Sequence, residues 1–82
     1  MNPEVVTIGL GYIGLPTSAL IASKSTQVLG VDIDQKVVDT VNEGKIHIVE
    51  PDLDVIVSKA VNDGFFKAST IAVAADTFLI VV

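Results

Sequence analysis

The sequence contains 82 residues, half of them hydrophobic, and carries a net charge of −5. Its basic residues are all lysines, no apolar run reaches the ~18 residues of a membrane span, and no cysteine is present for a disulfide or a catalytic thiol. We therefore expect one small cytoplasmic domain that binds neither nucleic acid nor membrane, with an apolar sheet covered on both faces.

The first predicted element is a short apolar strand that leads directly into a glycine-rich loop. The loop contains Gly9, Gly11 and Gly14 in the spacing G-x-G-x-x-G. In such a loop the first glycine allows a sharp turn, the second lets a phosphate approach the backbone, and the third lets the next helix pack closely. Because free amides at a helix start bind anions, the pattern predicts a site for the pyrophosphate of a dinucleotide.

A helix over residues 13–23 is predicted to follow the loop. Leu15, Ala19 and Ala22 recur at the spacing of one helix face, and we expect that face to lie on the sheet. Pro16 is compatible with this prediction, because a proline in the first turn of a helix removes no intrahelical hydrogen bond.

The second predicted strand, Val28–Val31, ends at an acidic residue. Asp32 follows Gly14 at close to the offset of about 20 residues at which dinucleotide-binding proteins carry a ribose-binding acid. A carboxylate there accepts hydrogen bonds from ribose hydroxyls and repels a 2′-phosphate, so the predicted cofactor is NAD and not NADP. The alternative is structural: Asp32 would only end the strand, and Asp34 would cap the next helix.

Two further helices and two strands complete the chain. The first of these helices begins after Asp34, extends to Glu43 and is ended by Gly44. The next helix is ended by Gly64 and has the clearest period in the chain. Its apolar positions are Leu53, Ile56, Val57, Ala60 and Val61, and its first turn contains Pro51, Asp52 and Asp54. Strands are predicted over residues 66–69 and 77–82.

This order of elements is typical of a doubly wound, Rossmann-like α/β fold with a parallel sheet. The usual strand order would be 3-2-1-4, of which this chain would supply the first part of the sheet only. A cofactor would lie beyond the carboxyl ends of strands 1 and 4. We expect residues 1–82 to be one partial domain of a longer protein, whose last strand leaves an apolar edge through which copies self-associate.

Three stretches of sequence narrow the prediction to a family. They are GLGYIGLP at residues 9–16, GVDID at residues 30–34 and GKIHIVEPDL at residues 44–53. Together they resemble the amino terminus of the UDP-sugar 6-dehydrogenases, which include UDP-glucose and UDP-N-acetylmannosamine dehydrogenases. The third stretch is most similar to the N-acetylmannosamine branch, because UDP-glucose enzymes usually have Glu-Pro-Gly-Leu where this chain has Glu-Pro-Asp-Leu.

The resemblance implies an enzyme of polysaccharide biosynthesis that uses two NAD to oxidise a sugar C6 hydroxyl to a carboxylate, through a thiohemiacetal on a cysteine. That cysteine and its assisting residues lie beyond the matched region, so no catalytic residue is predicted here, and the UDP-sugar would bind to the rest of a homo-oligomeric enzyme. Carried over by position, the cofactor contacts are Gly9, Gly11 and Gly14, the backbone of Tyr12 and Ile13 at the pyrophosphate, Asp32 and Lys36 at the ribose, and Ile33 at the adenine.

Two other functions fit the same motifs: a non-catalytic module that senses NAD by changing partners, and a structural α/β unit that binds nothing tightly. His47 has no acid–base partner at a recognisable spacing and is expected to be a packing residue. Glu50, Asp52 and Asp54 fall within one turn and lack the oxygen-rich loop of a calcium site, so no metal site is predicted.

Overall fold

Four strands and three helices make up the computed structural model, which describes residues 2–81. The elements are β1 (Val5–Ile8), α1 (Gly14–Ala22), β2 (Val28–Val31), α2 (Gln35–Asn42), α3 (Leu53–Asn62), β3 (Phe66–Ser69) and β4 (Thr77–Ile80). All four strands are parallel and lie in the order β3-β2-β1-β4. The predicted fold and strand order are therefore confirmed.

The register of the sheet brings the carboxyl ends of its central strands to one level. In β1, Ile8 is paired with Val31 of β2 on one side and with Ile80 of β4 on the other. The loops that follow these strands therefore leave the sheet at the same edge. The chain winds outwards from β1 in both directions, which makes this edge the point where ligands bind in open α/β sheets.

One face of the sheet carries all three helices. Residues of α1, α2 and α3 share one core with residues of β2 and β3, which is the arrangement expected when both crossovers, from β1 to β2 and from β2 to β3, are right-handed. This core contains Leu10, Leu15, Ala19, Ala22, Val28, Val38, Val41, Ile48, Leu53, Val57, Ala60, Phe66 and Ala68. Leu15, Ala19 and Ala22 thus lie on the sheet-facing side of α1, as predicted.

The opposite face has a much smaller core of Val6, Leu29 and Val31. Residues 70–76, which link β3 to β4, contribute Ala75 to it and are too few to form a crossover helix there. Phe78 and Ile80 of β4 remain exposed. Within residues 2–81, the prediction of a sheet covered on both faces therefore holds for one face only.

The helix ends follow the signals in the sequence. The Asp34 carboxylate caps α2 by accepting a hydrogen bond of 2.9 Å from the Lys36 amide. Gly44 and Gly64, which directly follow the C-cap residues of α2 and α3, adopt left-handed conformations with φ of 77° and 83°. Their amides donate hydrogen bonds back into the last turn of each helix, as in a Schellman motif. None of the three helices in residues 2–81 is both long and apolar enough to cross a membrane.

The predicted boundaries differ from the observed ones by one residue at both ends of α1 and at the end of α2, and they also differ at two further places. Pro51 and Asp52 precede α3 instead of lying in its first turn, because the left-handed backbone of Asp52 (φ 65°) is incompatible with helix. The last predicted strand extends in the structure from Thr77 to Ile80. The Val81 amide still donates a hydrogen bond to the Ile8 carbonyl. Val82, the last residue of that prediction, lies outside the described residues.

Candidate cofactor-binding site

The glycine-rich loop and Asp32 meet at the carboxyl edge of the sheet. The loop follows β1 and Asp32 follows β2, and the Gly9 amide donates a hydrogen bond of 2.8 Å to the Val31 carbonyl. A cleft of about 160 Å³ lies between these segments and the residues after β4. Its lining is Ile8, Gly9, Val31, Asp32, Ile33 and Val81.

The packing of the protein itself requires two of the three loop glycines. Gly9 has a φ of 103°, and a Cβ there would collide with the Val81 carbonyl oxygen. Gly14 is buried, and a Cβ there would collide with the Gly9 carbonyl, so glycine permits the close approach of α1 to the loop. Gly11 is exposed, and a Cβ there would meet no protein atom within 4 Å. The protein itself therefore gives no steric reason for glycine at position 11.

The start of α1 has the features of an anion-binding site. Its N-cap residue, Ile13, provides no side-chain cap, and its first turn contains no acidic residue. Among the described residues, no backbone or side-chain acceptor takes the amides of Gly11, Tyr12 or Ile13. By contrast, the start of α2 is capped by Asp34. The open side of Gly11, next to these free amides, fits the close approach of a phosphate group.

The Asp32 carboxylate lies at the other side of the cleft and is only partly buried. Its Oδ2 atom accepts a hydrogen bond of 3.0 Å from the Leu10 amide, and its Oδ1 atom accepts one of 2.9 Å from the Asp34 amide. Each carboxylate oxygen can accept a further hydrogen bond, so the group can still bind ribose hydroxyls. The purely structural alternative is partly right as well, because Asp34 does cap α2.

The remaining predicted contacts lie around the same edge, with their side chains in solvent. Tyr12 is 75% exposed and belongs to neither of the two cores described above. Ile33 is 97% exposed and lines the cleft beside Asp32, where it leaves an apolar surface free for an adenine ring. Ile13 is exposed at the start of α1, and Lys36 is exposed in the first turn of α2. Lys36 is not among the residues that line the cleft.

The other polar residues named in the sequence analysis do not line the cleft. His47, Glu50, Asp52 and Asp54 line a separate shallow depression, which is formed by residues 46–52 and the start of α3. In residues 2–81 no group of three histidine, cysteine or acidic side chains is arranged to hold a metal ion.

Leu10 and Gly30 have packing roles that were not predicted from the sequence. Leu10 lies between two glycines, yet its side chain is completely buried in the helix-side core. It packs over Gly30 of β2, where an added Cβ would come within 2.7 Å of the Leu10 Cδ2 atom. The sequence did contain a sign of this packing, since glycine inside a strand often marks the close approach of another group.

Comparison with known proteins identifies the family. The model of the NAD-binding domain of the UDP-glucose/GDP-mannose dehydrogenase family matches residues 3–82. The chain belongs to this family. The cofactor of the matched domain is NAD, in agreement with the prediction from the glycine-rich loop and Asp32.

The chain is also similar in sequence to individual dehydrogenases of this family. The chain is 58% identical to the UDP-N-acetyl-D-mannosamine dehydrogenase of Campylobacter jejuni over 79 residues, which are 96% of this chain and 19% of that protein. It is 55% identical over 78 residues to an NDP-N-acetyl-D-galactosaminuronic acid dehydrogenase of Ralstonia nicotianae, covering 95% of this chain and 18% of that protein. The chain therefore spans about a fifth of the length of these dehydrogenases.

A solved structure of the family has the same fold. The UDP-N-acetyl-mannosamine dehydrogenase Cap5O of Staphylococcus aureus superimposes with a TM-score of 0.92 at 44% identity, covering 95% of this chain and 19% of that one. The partial Rossmann-like sheet of residues 2–81 is thus an arrangement found in a UDP-sugar dehydrogenase.

Proposed function

We propose that this chain is the NAD-binding part of a longer UDP-sugar 6-dehydrogenase, and that UDP-N-acetyl-D-mannosamine is the substrate of the complete enzyme. The main support for the cofactor site is that the uncapped start of α1 lies beside the open face of Gly11. The amides of Gly11, Tyr12 and Ile13 would bind the pyrophosphate there. Gly9 and Gly14 would shape the loop that presents them.

The adenosine half of NAD would bind at the end of β2. Asp32 would accept hydrogen bonds from the ribose hydroxyls, and Ile33 would contact the adenine through its exposed apolar surface. Lys36 would reach the ribose from the first turn of α2. The exposed positions of Ile33 and Lys36 support these roles, because neither side chain is used in the helix-side core.

The proposal for the sugar rests on the Glu-Pro-Asp-Leu stretch at residues 50–53 and on the similarity to UDP-N-acetyl-D-mannosamine dehydrogenases. In the complete enzyme each C6 hydroxyl would lose four electrons and become a carboxylate. Two NAD would accept them as two hydrides, while one water supplies the second carboxylate oxygen. We further propose a cytoplasmic homo-oligomer that serves polysaccharide biosynthesis, in which the exposed β4 edge of this chain is covered.

The cofactor site is tested by calorimetric titration of this chain with NAD and with NADP at one salt concentration. We expect NAD to bind more tightly than NADP, and Gly11→Val to abolish binding because the new side chain fills the space for the phosphate. Asp32→Asn should reduce the preference for NAD over NADP. Asp39→Asn removes the same charge from an exposed position of α2 and should leave that preference unchanged. Equal affinities for both cofactors in the unsubstituted chain would overturn the ribose assignment.

The substrate is tested with the complete gene product. Purified enzyme would be given NAD together with UDP-N-acetylmannosamine, UDP-N-acetylgalactosamine or UDP-glucose, and NADH formation would be followed by absorbance. We expect UDP-N-acetylmannosamine to be oxidised fastest, with two NADH formed for each sugar consumed. Faster oxidation of either other sugar would refute the substrate assignment and leave the cofactor site standing.

A further inference from the structure

The Asp32 carboxylate joins the two loops that would hold the cofactor. One of its oxygens accepts from the Leu10 amide within the glycine-rich loop, and the other accepts from the Asp34 amide in the turn after β2. Both donors are backbone groups, and they belong to segments that are far apart in the sequence. The carboxylate therefore connects the loop after β1 to the turn after β2 at the carboxyl edge of the sheet.

Leu10 is held at this place from two sides. Its amide is fixed by Asp32, and its side chain is completely buried above Gly30. The next residues, Gly11, Tyr12 and Ile13, are exposed, and their amides have no acceptor among the described residues. Leu10 is thus the fixed residue that precedes the exposed residues 11–13 of the loop. Movement of its amide would displace the amides that face a phosphate.

We propose that Asp32 is a positioning residue for the glycine-rich loop, in addition to any contact it makes with ribose. Through the Leu10 amide it fixes the phosphate-binding amides in place before a ligand arrives. This inference rests on the proposed cofactor site, because its binding test measures nucleotide affinity there. Its distinctive consequence is that Asp32 influences a phosphate group that it does not touch.

Electrostatics alone predicts the opposite effect. The Asp32 carboxylate is a negative charge near the position of a bound anion, so its removal should strengthen phosphate binding by reducing repulsion between like charges. Loss of a positioning hydrogen bond should instead weaken binding, because the loop amides must then be ordered by the ligand. The sign of the change therefore separates the two roles.

The experiment uses two probes, ADP and 2′,3′-dideoxy-ADP, of which the second lacks the ribose hydroxyls. Affinities would be measured by NMR titration of the ¹⁵N-labelled chain in unsubstituted, Asp32→Asn and Asp34→Asn forms. Asp34→Asn is the matched charge control, because asparagine is an equally good helix N-cap. Asparagine has one uncharged acceptor oxygen for the two amides that Asp32 binds, so the bond to the Leu10 amide is either lost or weakened. We therefore expect Asp32→Asn to weaken dideoxy-ADP binding about tenfold. We expect Asp34→Asn to leave it equal or slightly stronger.

Unchanged or tighter binding of dideoxy-ADP by Asp32→Asn would overturn the positioning role. It would leave the proposed function intact if the unsubstituted chain still binds NAD. Weaker binding of ADP alone would indicate that Asp32 acts only on the ribose, and would also overturn the inference.

Hydrogen exchange provides a readout that does not depend on ligand binding. In the unsubstituted chain the Leu10 amide should exchange at least tenfold more slowly than the exposed amides of Gly11 and Tyr12, and it should show a coupling across the hydrogen bond to the Asp32 side chain. A Leu10 amide that exchanges as fast as its neighbours would contradict the inference even if Asp32→Asn fails to fold. If the chain binds no nucleotide, the proposed function fails, and Leu10 exchange alone decides the positioning role.

Discussion

The side chain of Asn42 forms two hydrogen bonds with the backbone of Ala68, one in each direction. Asn42 Nδ2 donates to the Ala68 carbonyl at 2.9 Å, and the Ala68 amide donates to Asn42 Oδ1 at 2.8 Å. Ala68 lies in β3, at the outer edge of the sheet. Asn42 is the last residue of α2, and its side-chain amide forms the hydrogen bonds that a neighbouring strand would otherwise form with Ala68. Unpaired strand edges are sites of self-association, and this contact protects one of them.

Asn42→Ala is expected to lower the free energy of unfolding by about 1–3 kcal/mol, because two hydrogen bonds are lost and the Ala68 backbone groups must find water. The variant should also self-associate more readily. Urea denaturation and light scattering at several protein concentrations would measure the two effects. Asn62→Ala is the matched control, since Asn62 is the last residue of α3 but has only an exposed, 3.4 Å contact with Ser58. Equal destabilisation by both substitutions would show that the edge contact contributes nothing.

Gly11→Ala is expected to separate stability from binding. Gly11 is exposed, does not adopt a left-handed φ, and has no protein atom near the position of an added Cβ. The free energy of unfolding should therefore change by no more than about 0.5 kcal/mol, as for most surface substitutions. The affinity for NAD should still fall, because the methyl group occupies the side from which the phosphate approaches. Thermal unfolding and calorimetric titration of the same sample would test both parts, and retained NAD affinity would argue against the pyrophosphate site.

Gly30→Ala, unlike Gly11→Ala, should directly lower the free energy of unfolding and should weaken NAD binding only as a consequence. The added Cβ would lie 2.7 Å from Leu10 Cδ2 and 3.1 Å from Phe66 Cε1, and both side chains are buried. Inserting a methyl group into a packed core destabilises by about 1–3 kcal/mol. Because Leu10 belongs to the glycine-rich loop, its displacement should also weaken NAD binding. A variant as stable as the unsubstituted chain would show that Leu10 moves aside without resistance.

The sequence predicted the features that are encoded locally. Asp34 at the start of α2 and Gly44 at its end are recognisable from residue type alone, and the spacing of the loop glycines with Asp32 indicated the cofactor edge. The parallel order of strands followed from general rules for crossovers. The features that were missed depend on residues distant in sequence, such as the contact of Asn42 with Ala68 and that of Asp32 with Leu10. No local pattern indicates which distant backbone groups the Asn42 and Asp32 side chains bind.

The backbone of Asp52 is strained. Asp52 has a φ of 65°, a left-handed conformation that is unfavourable for residues with a Cβ, and its side chain makes no capping hydrogen bond to α3. Glycine adopts this conformation without steric penalty, and glycine is what UDP-glucose enzymes usually have at this point of the Glu-Pro-x-Leu stretch. Asp52→Gly should therefore raise the free energy of unfolding by up to about 1 kcal/mol.

Asp54→Gly is the matched control for this prediction, because it makes the same change in the first turn of α3, where the backbone is helical. Glycine inside a helix is unfavourable, and Asp54 is also an acid at the positive end of the helix dipole. Asp54→Gly should therefore lower the free energy of unfolding by about 0.5–1 kcal/mol. Urea denaturation of the two variants should thus give changes of opposite sign. Destabilisation by both would mean that Asp52 contributes an interaction that outweighs the strain of its left-handed backbone.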